Sequence, residues 1–481
     1  MKNLSLSLIF TLLLFLQLTA CAQSDKDKIQ QVEKGLVGAV QINGEIPWTI
    51  QERMGYYKIP GLSIAVIQNY HIVWAKGYGF ANDSLKTPVT AQTLFQAASI
   101  SKSLNAVGVL KLVQDKKLDL YTDINTYLTS WKFPYDSLSK GKKITMANLL
   151  SHTAGLNVHG FLGYLQDKPL PTIAQMLDGQ KPANSTAIRS RYEPGLKSEY
   201  SGGGILISQM IVMDITHQPY ADYMKKNVLE PLGMTSSTFT QPVAKPDLLA
   251  IGYGENGKQV PGKYHIYPEQ AAAGLWTTPT DLAKYIIETQ LAYEGKSAKV
   301  LNQANTKLRL TPYLDKSAAL GVFINEFYHT KYFQHGGANV GFRCIYFGSL
   351  EGGNGVVVMV NSVHDEIMSE LINSVAKVYG FKGLYQSEVK QLVTVPDAVL
   401  KTYEGQYELS PTFSLTISKE GNQLYAQGTG QKKFLIYPET QTKFFPREFL
   451  SDMEFVKDTT GNINGAILYQ NGQQSKAKKV K

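Results

Sequence analysis

A serine followed three residues later by a lysine occurs six times in the 481-residue chain, at Ser99/Lys102, Ser137/Lys140, Ser139/Lys142, Ser374/Lys377, Ser387/Lys390 and Ser475/Lys478. On a helix that spacing puts a hydroxyl and an amine on one side, one turn apart, as a nucleophile and its base require. A hydroxyl attacks a carbonyl only when a neighbour takes its proton. A lysine with its ordinary pKa of about 10.4 is a poor acceptor at pH 7, since holding it neutral costs roughly 4–5 kcal/mol, so a working lysine must be buried or paired with a second titratable group such as a tyrosine. Among the six, only Ser99 lies where an apolar, strand-like approach, Phe95-Gln96-Ala97-Ala98, turns into a long helix pattern. That helix start also offers free N–H groups and positive dipole to an anionic transition state. Ser99 is therefore the candidate nucleophile and Lys102 its partner.

The elements that must hold this pair are legible in outline. Leu62–Ile67 and His71–Ala75 read as a hairpin turning at Gln68-Asn69-Tyr70. From Ser101 an amphipathic helix, with Leu104, Val107, Leu110, Leu112 and Val113 on one side, runs to Lys116-Lys117. Residues 145–234 show helical patterns and Gly/Pro-rich loops, the signature of a helical subdomain inserted into a sheet domain. Strand signals return at 320–324, 340–347 and 355–360, and a helix from His364 to Tyr379 follows. The fold class is α/β (α+β): a mixed, largely antiparallel sheet flanked by helices whose first and last members can share a face. Beyond a polar connector at 386–397, residues 398–481 alternate in short stretches between Gly, Asn and Asp turns. That pattern predicts a small antiparallel β-barrel or sandwich. The expected domains are thus 29–385 and 398–481.

Before residue 29 the chain reads Met1-Lys2-Asn3, an apolar run from Leu4 to Leu18, then Leu18-Thr19-Ala20-Cys21 and an abrupt polar stretch. The run is shorter than the roughly 20 residues that span a bilayer, so residues 1–21 are expected to be a removable signal. The lipobox-like ending makes Cys21 the expected lipid-bearing residue, tied to a bacterial membrane in the periplasm or on the outer membrane. Cys344, among aromatic and β-branched neighbours, is expected to be an inert core thiol. The net charge of +9 comes from scattered bases, which argues against nucleic acid as a partner. His152 and His159 bracket Gly155-Leu156 without a ligand set around them, so no metal is expected, and they read as loop-shaping, cleft-lining residues. No phosphate loop is present, and no cofactor is expected.

Three separated segments, Phe95 to Lys102, Leu110 to Leu120 and Ile144 to Leu156, together resemble the β-lactamase-related serine hydrolases. That family includes class C β-lactamases, penicillin-binding proteins, D-aminopeptidases and certain esterases. The resemblance covers about residues 45–385 and implies further roles. Tyr200-Ser201-Gly202 aligns with the family's Tyr-x-Asn motif, making Tyr200 the general base or a proton shuttle coupled to Lys102, and Ser201 a substrate-side residue. Gly202 stands where the family usually has an amide. His335-Gly336-Gly337 matches the Lys-Thr-Gly strand, with the N–H groups of Ser99 and Ala338 forming the oxyanion hole. A histidine at 335, titrating near pH 6.5, clamps a carboxylate less well than lysine. Tyr267–Trp276 is also family-like and reads as part of the cleft wall. The implied function is an exported hydrolase acting through a Ser99 acyl-enzyme on D-amino acid peptides, peptidoglycan-derived peptides or small acyl esters. Its alternatives are a catalytically silent sensor or scaffold and a β-lactamase, and a C-terminal domain that restricts the cleft would limit it to small substrates.

Overall fold

Two residues in left-handed conformation, Asn69 (φ 51°) and Tyr70 (φ 63°), turn the chain between β1 (Gly61–Gln68) and β2 (His71–Asn82). Such a turn matches the twist of the strands it joins, and the hairpin forms where the alternation placed it. The structure is a computed structural model that describes residues 25–244, 246–470 and 472–480, so the signal and Cys21 lie outside the described residues. With β3 (Thr87–Pro88), β4 (Phe323–Phe327), β5 (Thr330–Asn339), β6 (Phe342–Ser349) and β7 (Gly355–Val360), the hairpin builds a seven-stranded sheet in the order β3-β2-β1-β7-β6-β5-β4. Every pairing in it is antiparallel. The sequence announced three of the last four strands. Residue alternation alone hid β5, because His335-Gly336-Gly337 weakens the strand signal at its centre, and only the family resemblance implied a strand there.

Helix α1 (Ser101–Gln114) starts immediately after the single 3₁₀ turn Ala98–Ile100 that carries Ser99. The expected amphipathic stripe is instead a helix buried on nearly all sides through Leu112. Its polar residues are satisfied inside: Asn105 Nδ2 donates to Ser208 Oγ (2.8 Å) and Asn105 Oδ1 accepts from Tyr220 OH (3.0 Å). These bonds tie α1 to α2 (Gly202–Thr216) and the helical subdomain. A short helix, α3 (Gln270–Ala273), lies against α1 and α2, and α4 (Pro279–Tyr293), capped by Thr278 with Pro279 at its first position, packs on β1 and β7.

The described residues form two compact units, Arg53–Met368 with Phe381–Gly383, and residues 25–52 with Ser369–Gly380 and Leu384 onward. The last continuous stretch of the second unit starts at Leu384, beside the expected boundary near 385, and the N-terminal segment belongs with it. Val40–Ile42 pairs in parallel with Glu388–Lys390, inside what had read as a free connector. The same unit holds a closed eight-stranded antiparallel barrel: β8 (Gly405–Ser410), β9 (Phe413–Glu420), β10 (Gln423–Gly428), β11 (Phe434–Pro438), β12 (Lys443–Phe445), β13 (Asp452–Lys457), β14 (Ile463–Gln470) and β15 (Gln473–Lys479). Closure leaves no sheet edge exposed.

Candidate active site

The bend that presents Ser99 is held from both sides. Ala98 adopts φ 47°, a conformation L-residues avoid, and Ser101 Oγ donates to its carbonyl at 2.5 Å. Leu275 N donates to Ser101 Oγ (3.0 Å), and Ala97 N donates to Leu275 O (2.8 Å). One turn on, Lys102 Nζ lies 2.9 Å from Ser99 Oγ and donates to Ala272 O at 2.7 Å. Only 2% of Lys102 is exposed, and burial pushes its pKa down to about 7. A substantial fraction of the amine is neutral at physiological pH and can take the serine's proton.

Tyr200 completes the cluster. Lys102 Nζ sits 5.0 Å above its ring, and the imidazoles of His152 and His159 lie 4.3 and 4.9 Å from it, centroid to centroid. Burial raises its pKa, with its hydrogen bond to Ser99 pulling the other way, so the resting group is a phenol and not a phenolate. Ser201 is corrected from a substrate contact to a helix cap: its Oγ accepts from Gly204 N (3.1 Å) and donates to Val158 O (2.9 Å), deep inside the protein. Its amide donates to His152 Nδ1 (3.2 Å), so His152 reaches Tyr200 both by ring contact and through the next residue's backbone.

Strand β5 runs directly against the Ser99 turn. A Cβ on Gly337 would lie 2.3 Å from Ala97 O, so glycine is what allows the approach. Asn339 Nδ2 locks it by donating to Gln96 Oε1 (2.8 Å) and Ala273 O (3.1 Å), and the buried Cys344 thiol donates to Ala97 O (3.1 Å). His335 differs from expectation. Its Nδ1 is 2.6 Å from Gly336 O, which places the ring proton there, while Nε2 is buried without a partner. Burial and the nearby Lys102 lower its pKa to about 3, so it stays neutral instead of titrating near 6.5. Ser99, Lys102, Tyr200, His335, Gly336, Gly337 and Ala338 together line one cleft of about 600 Å³. Ala272 and Ala273 supply wall, as the Tyr267–Trp276 stretch foretold. Phe323, Arg343 and Asp365 also line it, and no spacing rule connects them to Ser99.

Comparison with known proteins places this arrangement. The family model described as Beta-lactamase matches residues 48–378, and a Domain of unknown function (DUF3471) matches 389–479. The chain belongs to the beta-lactamase family. Members of this family are usually serine hydrolases. Among its relatives are Protein flp of Staphylococcus aureus (strain N315), 25% identical over 65% of this chain, and the putative penicillin-binding protein PbpX of Bacillus subtilis (strain 168), 24% identical over 68% of this chain and 77% of PbpX. The chain spans 62% of the length of Protein flp. The octameric penicillin-binding protein homologue from Pyrococcus abyssi shares the fold, with a TM-score of 0.61 and 24% identity over 89% of this chain and 98% of that one.

Two further features stand close to this chemistry. A Cβ on Gly202 would lie 2.9 Å from His159 O and 3.1 Å from the Phe161 ring, so the His159–Phe161 loop occupies the space an amide side chain would need. The second is Glu269, fully buried at the start of α3 with neither carboxylate oxygen hydrogen-bonded. Its carbonyl accepts from Ala272 N (3.0 Å) and Ala273 N (2.9 Å), bracing the segment whose Ala272 carbonyl anchors Lys102. Burial raises its pKa to about 8. The folded protein thus holds a proton that the unfolded chain releases above about pH 4.5, and stability falls as pH rises from there through about 8. Glu269→Gln is expected to remove this slope and to stabilise the protein by about 3 kcal/mol more at pH 8 than at pH 5, read from urea unfolding at both.

Proposed function

We propose that the protein is a serine hydrolase of the bacterial cell envelope that forms an acyl-enzyme on Ser99. The observation that carries this reading is the buried Lys102 amine 2.9 Å from Ser99 Oγ, where burial pushes its pKa down to about 7. Ser99 attacks an amide or ester carbonyl as Lys102 takes its proton, and the N–H groups of Ser99 and Ala338 receive the oxyanion. Tyr200, a phenol, donates its proton to the departing amine or alkoxide and is reprotonated by Lys102, so the two work as one relay. Water then reverses the sequence to release the acyl group. Substrates are D-amino acid peptides, peptidoglycan-derived peptides or small acyl esters. Since His335 and much of Lys102 are neutral, Arg343 is the permanent cation of the cleft and the group available to a substrate carboxylate. The signal-like N-terminus and Cys21 support export and lipid anchoring, and the name of PbpX supports an envelope role.

The test is mass spectrometry of the protein after exposure to p-nitrophenyl esters, nitrocefin, a D-alanyl-D-alanine peptide and the amide of that peptide. An acyl mass on the peptide containing Ser99, forming faster from the free carboxylate than from its amide, is the expected result. Acylation at another residue, or none from any donor, overturns the reading.

A further inference from the structure

Connectivity gives the barrel two unlike ends. In an up-and-down barrel alternate connections share an end, so the turns β8–β9, β10–β11, β12–β13 and β14–β15 lie together at one end and the remaining turns at the other. The second end is stoppered. Helix Asp397–Thr402 leads into Tyr403, which stacks on Phe455 (4.1 Å, 12° between planes), touches Phe444 (5.6 Å) and donates from its hydroxyl to Gln441 O (2.7 Å). Tyr407 adds a further contact to Phe455 (5.5 Å). The first end is hollow, with a cavity of about 320 Å³ that enters between strands carrying Leu415, Ala426, Ile436, Met453 and Leu468. The other residues lining it, among them Phe434, Phe449, Gln431 and Gln470, all come from the first set of turns and the strand ends beside them.

We propose that this cavity is a binding site for a linear alkyl chain, entered from the β10–β11 and β12–β13 turns. None of the residues lining it is ionisable, and its depth is aliphatic. Water needs two to four polar partners to settle in such a space, and here the amides of Gln431 and Gln470 and the hydroxyl of Ser451 stand only toward the turns. An eight-stranded barrel has an interior just wide enough for one slender ligand. At roughly 30 Å³ per methylene, about the share of one liquid water, the 320 Å³ accepts a chain of roughly ten carbons. The entrance is marked by exposed apolar side chains, Phe449 (37%) and Leu450 (38%), and Phe449 meets Phe434 edge to face at 5.3 Å. A polar head group, carboxylate or hydroxyl, is left at the mouth with the two glutamines as hydrogen-bond donors. The N-terminal segment lies at this same end: Val40 N donates to Arg447 O (3.3 Å), and Arg447 pairs with Glu45 (2.6 Å). The shared chemistry is therefore an acyl chain, from a free lipid or from a lipid carried on the protein's own N-terminus. None of this depends on the reading of Ser99.

The experiment is calorimetric titration of the full chain with n-alkanols and n-alkanoic acids of six to fourteen carbons, and with naphthalene as a compact aromatic of ten carbons. One site, an affinity optimum near ten carbons and a negative heat-capacity change are expected. Leu468→Trp, which fills the mouth from a half-buried position, and Ala426→Ile, which fills the depth, are each expected to weaken decanol binding at least tenfold with the fold intact by circular dichroism. The chain-length optimum stands as evidence even if a filled variant does not fold. Equal binding in folded, filled variants, no dependence on chain length, or preference for naphthalene overturns the proposal. Comparison of the lipidated protein with Cys21→Ser separates the sources: a cavity closed to decanol only in the lipidated form holds the protein's own acyl chain, and one open in both takes a free one.

Discussion

Replacing Lys102 with methionine is expected to slow acylation of Ser99 by about 10²–10⁴-fold, the range a positioned proton acceptor supplies, and at the same time to make the protein harder to unfold. The two effects share one cause. The amine is buried, and its pKa falls from 10.5 to about 7 because the folded interior disfavours its charge. Between those two values the unfolded chain binds a proton the folded chain lacks, so stability rises with pH across that window and the lysine is a liability below it. At pH 7 the liability is on the order of 4 kcal/mol. Methionine keeps the length and apolar stem and discards the charge. The wild-type acylation rate should climb with pH through about 7 and then level. The variant should show a flat residual rate, and its urea midpoint should shift upward. Loss of activity without that gain in stability would mean that Lys102 is charged in the resting site and does not act as the base.

Much of this site could be read from residue types and spacing, and the limits of that reading have physical origins. Ser99 and Lys102 were separable from five look-alikes because burial follows from the apolar approach and from the helix after it, and both are local in sequence. The hairpin was visible for the same reason. What stayed hidden depends on contacts between distant segments. His335 looked like a titrating group because a histidine's ordinary pKa is all that a sequence offers. Its neutrality comes from burial in the cleft and from the nearby Lys102, which outweigh the opposing bond to Gly336 O, and only the packed fold supplies those neighbours. Ser201 looked like a cleft residue because it adjoins Tyr200, yet at a helix start the backbone direction turns the two side chains apart, one to the cleft and one to cap α2. The N-terminal segment joined the C-terminal unit through pairing with residues about 350 positions away, a partnership with no local signature. Glu269 is the clearest case. Nothing in Tyr267-Pro268-Glu269-Gln270 says that a carboxyl will be sealed from water, and that sealing keeps it protonated at the start of the short helix whose Ala272 carbonyl holds Lys102.

The second large effect is expected at Gly337, a residue with no side chain to take part in chemistry. In the proposed mechanism strand β5 and the Ser99 turn approach closely enough for the amides of Ser99 and Ala338 to meet one oxygen, and the limit on that approach is the Ala97 carbonyl. An added Cβ would stand 2.3 Å from that oxygen and 2.5 Å from Cys344 Sγ. The carbonyl is backbone, pinned by the bend and by the Cys344 thiol, so it cannot swing aside as a flexible side chain would. The strand must retreat instead, carrying the Ala338 N–H with it. Loss of one oxyanion donor lowers kcat by about 10²–10³-fold, and Gly337→Ala is expected to fall in that range with KM little changed, because the displaced donor acts on the transition state. Gly336→Ala is expected to lose far less, since its Cβ would meet only Cys344 O, at 3.8 Å. What distinguishes this defect from that of Lys102→Met is the pH profile. The residual activity of Gly337→Ala should still rise through about pH 7, because the base is untouched and only the receiving site for the oxyanion has moved. A flat profile in Gly337→Ala would show that strand and base are not independent, and that β5 sets the environment of Lys102 as well as the position of Ala338.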